Sequence, residues 1–291
     1  PTASGRLPRV VRWPHRFGSF DHFGSFDHFG SFVIYISAVR TVENMCGRYT
    51  LFTPAADLEA RFDADFGDCE PSYNCAPGQS LPVISDADPT TATRMEWGLT
   101  PHWADESFDL INARAETVRE KRSFADAFER RRCLVPADGF YEWVDTSNRS
   151  SADGSGSTPY RVAFADDRPF AMAGLYERWK PPVPETTQTG LDAFGGGETA
   201  DTPADAGEAD IIETFTIVTT DPNDLVADLH HRMAVILDPS DEETWLHGTA
   251  DEAADLLAPY PDDDLTAHPV STRVNSPAVD APELIEPVGA E

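Results

Sequence analysis

Five short stretches of this sequence gather residue types that do chemistry. MCGRYT (45–50) brings Cys46 and Arg48 together, and YNCAPGQ (73–79) sets Asn74 beside a Pro77–Gly78 turn. LINARAET (110–117) holds Asn112, Arg114 and Glu116, while ADGFYEW (137–143) places Glu142 between Tyr141 and Trp143. LHHRMAVIL (229–237) puts His230, His231 and Arg232 at the entrance of an apolar strand. Cys46 matters most, because its position in the working chain decides its chemistry. An internal cysteine offers one nucleophile, its thiolate. A cysteine at the N-terminus offers two, the thiol and an α-amine whose reference pKa near 8 leaves much of it neutral at neutral pH. A glutamate among aromatics suits proton transfer, and guanidinium forks suit phosphates or carboxylates.

Each residue also has an ordinary reading. A single cysteine is commonly a small buried hydrophobe, and Asn112 could simply serve a turn. Glu142 could be the solvent-facing member of an alternating strand, and one of two adjacent histidines could be surface filling. Arg48, Arg114 and Arg232 could be salt-bridge partners, with 51 acidic residues available. Taken singly, these residues leave both readings open.

The elements that would position them are mostly strands. LPVIS (81–85), TRMEWGL (93–99), YRVAFA (160–165), PFAMAGLYERW (169–179), TFTIVTT (214–220) and HRMAVIL (231–237) are rich in β-branched and aromatic residues. TPAADLEARF (53–62), DEETWLHG (241–248) and DEAADLLA (251–258) read as short helices, and ETVREKRSFADAFERRR (116–132) as a longer charged one. Helices interrupt strands without a βαβ rhythm. That predicts an α+β domain with a β-rich, barrel-like core flanked by short helices. Two segments break the pattern: TSNRSSADGSGST (146–158), a Ser/Gly-rich hairpin extension, and the Pro/Gly/Thr/Asp-rich stretch 180–211. Neither can bury much surface, so both are expected to be disordered surface insertions.

The first 44 residues differ from the rest, with five Arg against three acidic residues and the perfect repeat GSFDHFGSFDHFGSF (18–32). Two and a half copies are too few for a stacked repeat fold. FVIYISAV is short for a signal peptide and lacks a small-residue cleavage site. Residues 1–44 therefore read as a non-native extension, with Met45 the start of a domain spanning 45–288.

The chain of 291 residues carries a net charge of −29 and is 40% hydrophobic. A sizeable core is affordable, and no apolar run reaches the roughly 20 residues of a membrane helix. Such an acidic balance fits a salt-loving organism, where a Debye length of about 3 Å at molar salt makes net charge a poor guide to partners. Four irregularly spaced cysteines with no CxxC pair argue against a disulfide framework, and Cys69 with Cys75 makes at most half a zinc set. No metal or other cofactor is expected, and a cytoplasmic monomer is.

Taken in order, MCGRY, YN·APG, WGL·P·W, INAR·ET, ADGFYEW, a TT followed by LHHRM··IL, and HPVS··VN resemble the SRAP-domain family, sensors of abasic sites in single-stranded DNA. The resemblance runs from Met45 to about Val288. It implies one α+β domain with a groove for single-stranded DNA and a cysteine exposed at the N-terminus by removal of the initiator methionine. On this resemblance Cys46 is the nucleophile, Glu142 shuttles protons, His230 serves the sugar hydroxyl, and Asn112 orients the amine. Arg48, Asn74, Arg114 and Arg232 would line the groove, with Trp103 and Trp143 stacking on bases or sugar. One departure is His231, where the family usually has an acid; His230 remains the expected actor. The resemblance further implies peptidase-type maturation and some lyase activity. An N-terminal-cysteine amidase and a non-covalent single-stranded DNA module are the rival readings.

Overall fold

Strand formation begins where the chain is first described, and the local sequence explains most of it. In the computed structural model residues 47–145, 157–182 and 210–289 are described. Expectations for residues 1–44, Met45 and Cys46, and for most of 146–158 and 180–211, lie outside the described residues. The early elements are β1 (Tyr49–Leu51), α1 (Ala55–Phe62), β2 (Ser72–Cys75), β3 (Ser80–Ser85), β4 (Asp88–Trp97) and β5 (Asn112–Arg114). The turn from β2 to β3 shows the sequence at work. Pro77 fixes the first turn position, Gly78 takes a φ of +80°, and Gln79 N–H closes onto Ala76 O at 3.2 Å.

Next come α2 (Ala125–Arg130), β6 (Arg132–Ala137), β7 (Gly139–Asp145), β8 (Ser157–Phe164) and β9 (Phe170–Trp179). After them follow β10 (Ile212–Thr220), α3 (Asp224–Ala227), β11 (Met233–Ala234), β12 (Ile236–Leu237), α4 (Glu242–His247), α5 (Ala250–Asp255) and β13 (Leu265–Pro269). Two 3-10 turns, Thr272–Asn275 and Pro282–Ile285, complete the described chain.

Five strands close on themselves. β10 pairs with β4 in parallel, β4 with β3, β3 with β6, β6 with β9, and β9 back with β10, the last four antiparallel. This ring has no free edge where it closes, and the barrel-like α+β core expected from the sequence is the fold observed. β6 is buried along its whole length, so its run of apolar residues reads as a central strand. Its one charge, Arg132, is satisfied by carbonyls of Phe128, Trp245, Leu246 and Gly248, the last three around the C-terminal end of α4.

A second sheet of five strands runs β13–β8–β7–β1–β2. The chain passes between the two sheets at Asp138, a single residue between β6 and β7. Asp138 is fully buried, and its carboxylate accepts from Phe52 N–H, Thr53 N–H and the Thr53 hydroxyl. Those bonds tie the crossover to the segment leaving β1.

Three sequence expectations are corrected. Only 125–130 of the 116–132 segment is α-helix, because Val118 and Phe124, its first buried apolar residues, stand six apart and cannot share a helical face. HRMAVIL is not one strand. β11 pairs with β10 and β12 with β9, while Val235 N–H donates to Val218 O and Val235 O accepts from Ala173 N–H. This stretch therefore fills the gap where β9 and β10 splay apart. Finally, Ser157 and Thr158 belong to β8, paired with Asp145 and Val144.

Candidate active site

β7 is the middle strand of the second sheet, and its geometry sets the site. Tyr49 of β1 pairs with Phe140, and Tyr141 N–H donates to Arg48 O at 3.0 Å. β1 thus approaches Glu142 from the Cys46 side. Glu142 does not face solvent. Its side chain is 0% exposed, whereas the aromatic residues beside it send their polar ends elsewhere. Tyr141 OH donates to Tyr73 O at 2.8 Å, and Trp143 Nε1 donates to Asn275 Oδ1 at 2.8 Å.

His230 comes to Glu142 from the strap between α3 and β11. Its Nδ1 lies 3.6 Å from Glu142 Oε2, and the imidazole is 12% exposed. The same nitrogen sits 3.3 Å from Arg232 N and 3.1 Å from Arg232 O. His231 is exposed and its ring centroid lies 4.3 Å from that of His230. A buried carboxylate facing an imidazole is an arrangement that can hold and pass a proton.

β5 brings the asparagine and arginine of LINARAET to the same end of the ring. It runs beside β10 with Asn112 opposite Ile217 and Arg114 opposite Thr219. On the other side of β10, Thr219 pairs with Ala234, just after the His230–Arg232 strap. Arg114 is exposed and Asn112 half-buried.

An open cleft of about 240 Å³ is lined by Gly47, Arg48, Trp143, Ser157 and Asn275, of which Trp143 is the chain neighbour of Glu142. Gly47 follows Cys46 in the chain. Cys46 itself lies outside the described residues. Arg48 forms no ion pair among the described residues, and burial lowers the pKa of its guanidinium. Most other arginines differ: Arg61, Arg161 and Arg168 are paired with Glu242, Asp167 and Asp264. An unneutralised guanidinium on a cleft is suited to an anion.

Two residues expected in the groove are buried. Asn74 is fully buried, and its amide nitrogen donates to the carbonyls of Val274, Ser276 and Val279 at 3.3, 3.0 and 2.8 Å. It holds the segment that carries Asn275. Arg232 is also buried, with its guanidinium bound by Glu116, Asp221 and Thr219 O. Its charge is already matched. Trp103 is not brought to the site. It lies in the loop after β4, near the end of β10 marked by Thr214, with Arg122 stacked 4.0 Å over its ring and Phe108 against it at 5.5 Å.

Two residues here, Asn275 and Thr219, were not singled out by sequence. Asn275 meets Trp143 from 132 residues away, and no local signal announces that contact. Thr219 has a buried hydroxyl with no hydrogen-bond partner among the described residues, yet in sequence it reads as an ordinary β-branched strand residue. Glu116 was visible in its motif but had no assigned role.

Metal chemistry finds little support in the donors described. His102, Asp126 and Glu177 converge, but the Arg131 guanidinium bridges Asp126 and Glu177. Cys75 is buried, which pushes its thiol up to about 12, so it is poorly suited to supply the thiolate a zinc site needs.

Comparison with known proteins places the chain among relatives. Residues 45–277 match the family model described as SOS response associated peptidase (SRAP). The chain is 38% identical over 253 residues to the abasic site processing protein YoqW of Bacillus subtilis, covering 83% of this chain and 99% of that one. It is 32% identical over 260 residues to the abasic site processing protein HMCES of Gallus gallus, covering 76% of this chain and 68% of that one. A crystal structure of a protein from Bacteroides thetaiotaomicron superposes with a TM-score of 0.66 at 25% identity, covering 84% of this chain and 100% of that one. No helix among the described residues is long and apolar enough to cross a membrane.

Proposed function

Because the chain belongs to the SOS response associated peptidase (SRAP) family, we propose that it processes abasic sites in single-stranded DNA by joining itself to them covalently. The observation that most supports this reading is the buried Glu142 carboxylate facing His230 at 3.6 Å, on the strand beside the one that leads from Cys46. Met45 is removed and Cys46 becomes the first residue, leaving residues 1–44 outside the working protein.

The α-amine of Cys46 attacks C1′ of the ring-opened sugar aldehyde, and loss of one water gives an imine. The Cys46 sulfur then adds to the same carbon, its proton passes to nitrogen, and a five-membered thiazolidine closes. One water is released overall, and no oxidant or reductant is needed. Holding amine and thiol on one residue gives a high effective concentration for ring closure. Glu142 takes and returns the protons of carbinolamine and imine formation, His230 serves the sugar hydroxyl, and Asn112 orients the amine. Arg48 and Arg114 meet phosphates, and Trp143 offers a face to the neighbouring base or sugar. The protein acts as a cytoplasmic monomer, and the joined site is shielded from strand cleavage. Imine chemistry at the same centre allows some lyase activity, and release of the N-terminus is the peptidase step.

The test is incubation with an oligonucleotide carrying one abasic site, followed by denaturing electrophoresis. A heat-stable shifted band is expected from protein whose intact mass begins at Cys46, and none from Cys46→Ala. An unreduced stable band from Cys46→Ala would assign the reaction to another nucleophile. A wild-type protein that binds without any stable band would favour a non-covalent module.

A further inference from the structure

Glu116 lies just past β5 and has no part in the chemistry above. Both its carboxylate oxygens accept from the Arg232 guanidinium, at 2.6 and 3.0 Å. That guanidinium also donates to Thr219 O at 2.7 Å and to Asp221 Oδ1 at 3.2 Å. Glu116 is the only bidentate anchor of the three, the geometry that best fixes a guanidinium plane. Asp221 is the more solvent-exposed carboxylate, at 80% against 48%.

The backbone of Arg232 is in turn the socket of His230. Its N–H and C=O flank His230 Nδ1 at 3.3 and 3.1 Å, with Glu142 Oε2 as a third neighbour at 3.6 Å. One ring nitrogen cannot accept and donate together. The peptide therefore offers a partner to either tautomer: the N–H to a bare nitrogen, the carbonyl to a protonated one. Where the ring stands against Glu142 depends on where this peptide stands. That backbone is fixed by a side chain whose charge is anchored across β10, on Glu116 just past β5.

We infer that Glu116 is a positioning residue for His230, acting through Arg232. It joins the segment carrying Asn112 and Arg114 to the strap carrying His230, so that groups from two distant parts of the chain hold one arrangement. The kinetic side of this inference rests on the proposed reaction; the geometric side does not.

The test uses Glu116→Ala, Glu116→Gln and Glu116→Asp. Single-turnover crosslinking to an abasic oligonucleotide is measured across DNA concentrations, and ¹⁵N NMR of the His230 ring is recorded without DNA. Glu116→Ala should lower the maximal rate about tenfold or more while changing the half-saturating DNA concentration by less than about twofold. It should also move the His230 Nδ1 resonance. Glu116→Gln keeps one oxygen for the guanidinium and should recover much of both. If Glu116→Ala fails to fold, Glu116→Asp decides, with an intermediate rate and a shifted resonance expected. An unchanged rate and resonance would show that Asp221 and Thr219 hold Arg232 unaided. A change in half-saturating DNA alone, with the resonance fixed, would assign Glu116 to DNA binding. Either result overturns the inference. A wild-type protein that forms no crosslink overturns the proposed reaction, and the NMR measurement then decides the positioning role by itself.

Discussion

Glu142 shows what a motif can and cannot reveal about a residue. The ADGFYEW stretch made it visible, but simple alternation would have turned it to solvent between two aromatic residues. It is buried against His230 instead, while the polar ends of Tyr141 and Trp143 find partners on Tyr73 and Asn275. Asn275 is supplied by a distant turn, so this placement was not legible locally. Glu142→Gln keeps the shape and removes the titratable group; crosslinking should slow by roughly a hundredfold or more while binding to an intact strand is kept. Asn74 makes a contrasting case. Its three bonds to carbonyls predict that Asn74→Ala costs about 1–3 kcal/mol of stability, read by urea unfolding, with no change in the salt dependence of DNA binding. A changed salt slope with unaltered stability would return Asn74 to the groove. Glu116 carries a pH signature. Its hydrogen bond to Arg232 lowers its pKa in the folded state. The resulting stability is present above the unfolded carboxyl value of about 4.3 and is lost as pH falls through the folded value. Thermal melts between neutral and strongly acid pH should therefore show a shallower acid loss for Glu116→Gln than for the wild type.

At the scale of elements, strands were legible where burial and composition agree. β9 read as a strand because its residues are apolar nearly throughout and it lies in the ring wall, whereas β6, equally buried, was not among the expected strands. The 116–132 segment misled because charge and helix-forming residues suggest a helix. The residue just before it is instead committed to β10, with Ala115 N–H bonded to Thr219 O. HRMAVIL misled for the opposite reason: its composition is right for a strand, but it serves two neighbours in turn. Gly174 tests the ring wall directly. A Cβ there would lie 2.8 Å from both Cys133 Sγ and Val135 Cγ2, so Gly174→Ala should destabilise by about 1–3 kcal/mol in denaturant titration. A neutral result would mean the β6–β9 contact has more slack than its distances indicate. Shortening 183–209 to a Gly/Ser linker should leave folding and crosslinking intact; loss of either would identify a working element in that stretch.

Across the whole molecule, the net charge of −29 leaves room for the proposed anion contact because the described arginines divide into two groups. Many are matched by carboxylates, whereas Arg48 on the cleft has none among the described residues. Affinity for single-stranded DNA should fall as salt rises, with a slope of roughly 0.7 per phosphate neutralised. Arg114→Ala should slow crosslinking more at subsaturating than at saturating DNA. Equal slowing at both would place Arg114 in the chemical step.

The closed ring also has a consequence for how the chain is made. β10 is the strand that joins β4 to β9, and it is the last of the five to leave the ribosome. Until residues 212–220 emerge, β4 and β9 each present an unpaired edge, and a loop of more than a hundred residues separates β4 from its eventual parallel partner. Barrel closure is therefore a late, non-local event with a slow entropic search. A nascent chain halted before β10 should remain protease-sensitive and prone to associate through those edges, and one extended past β12 should become resistant in a single step.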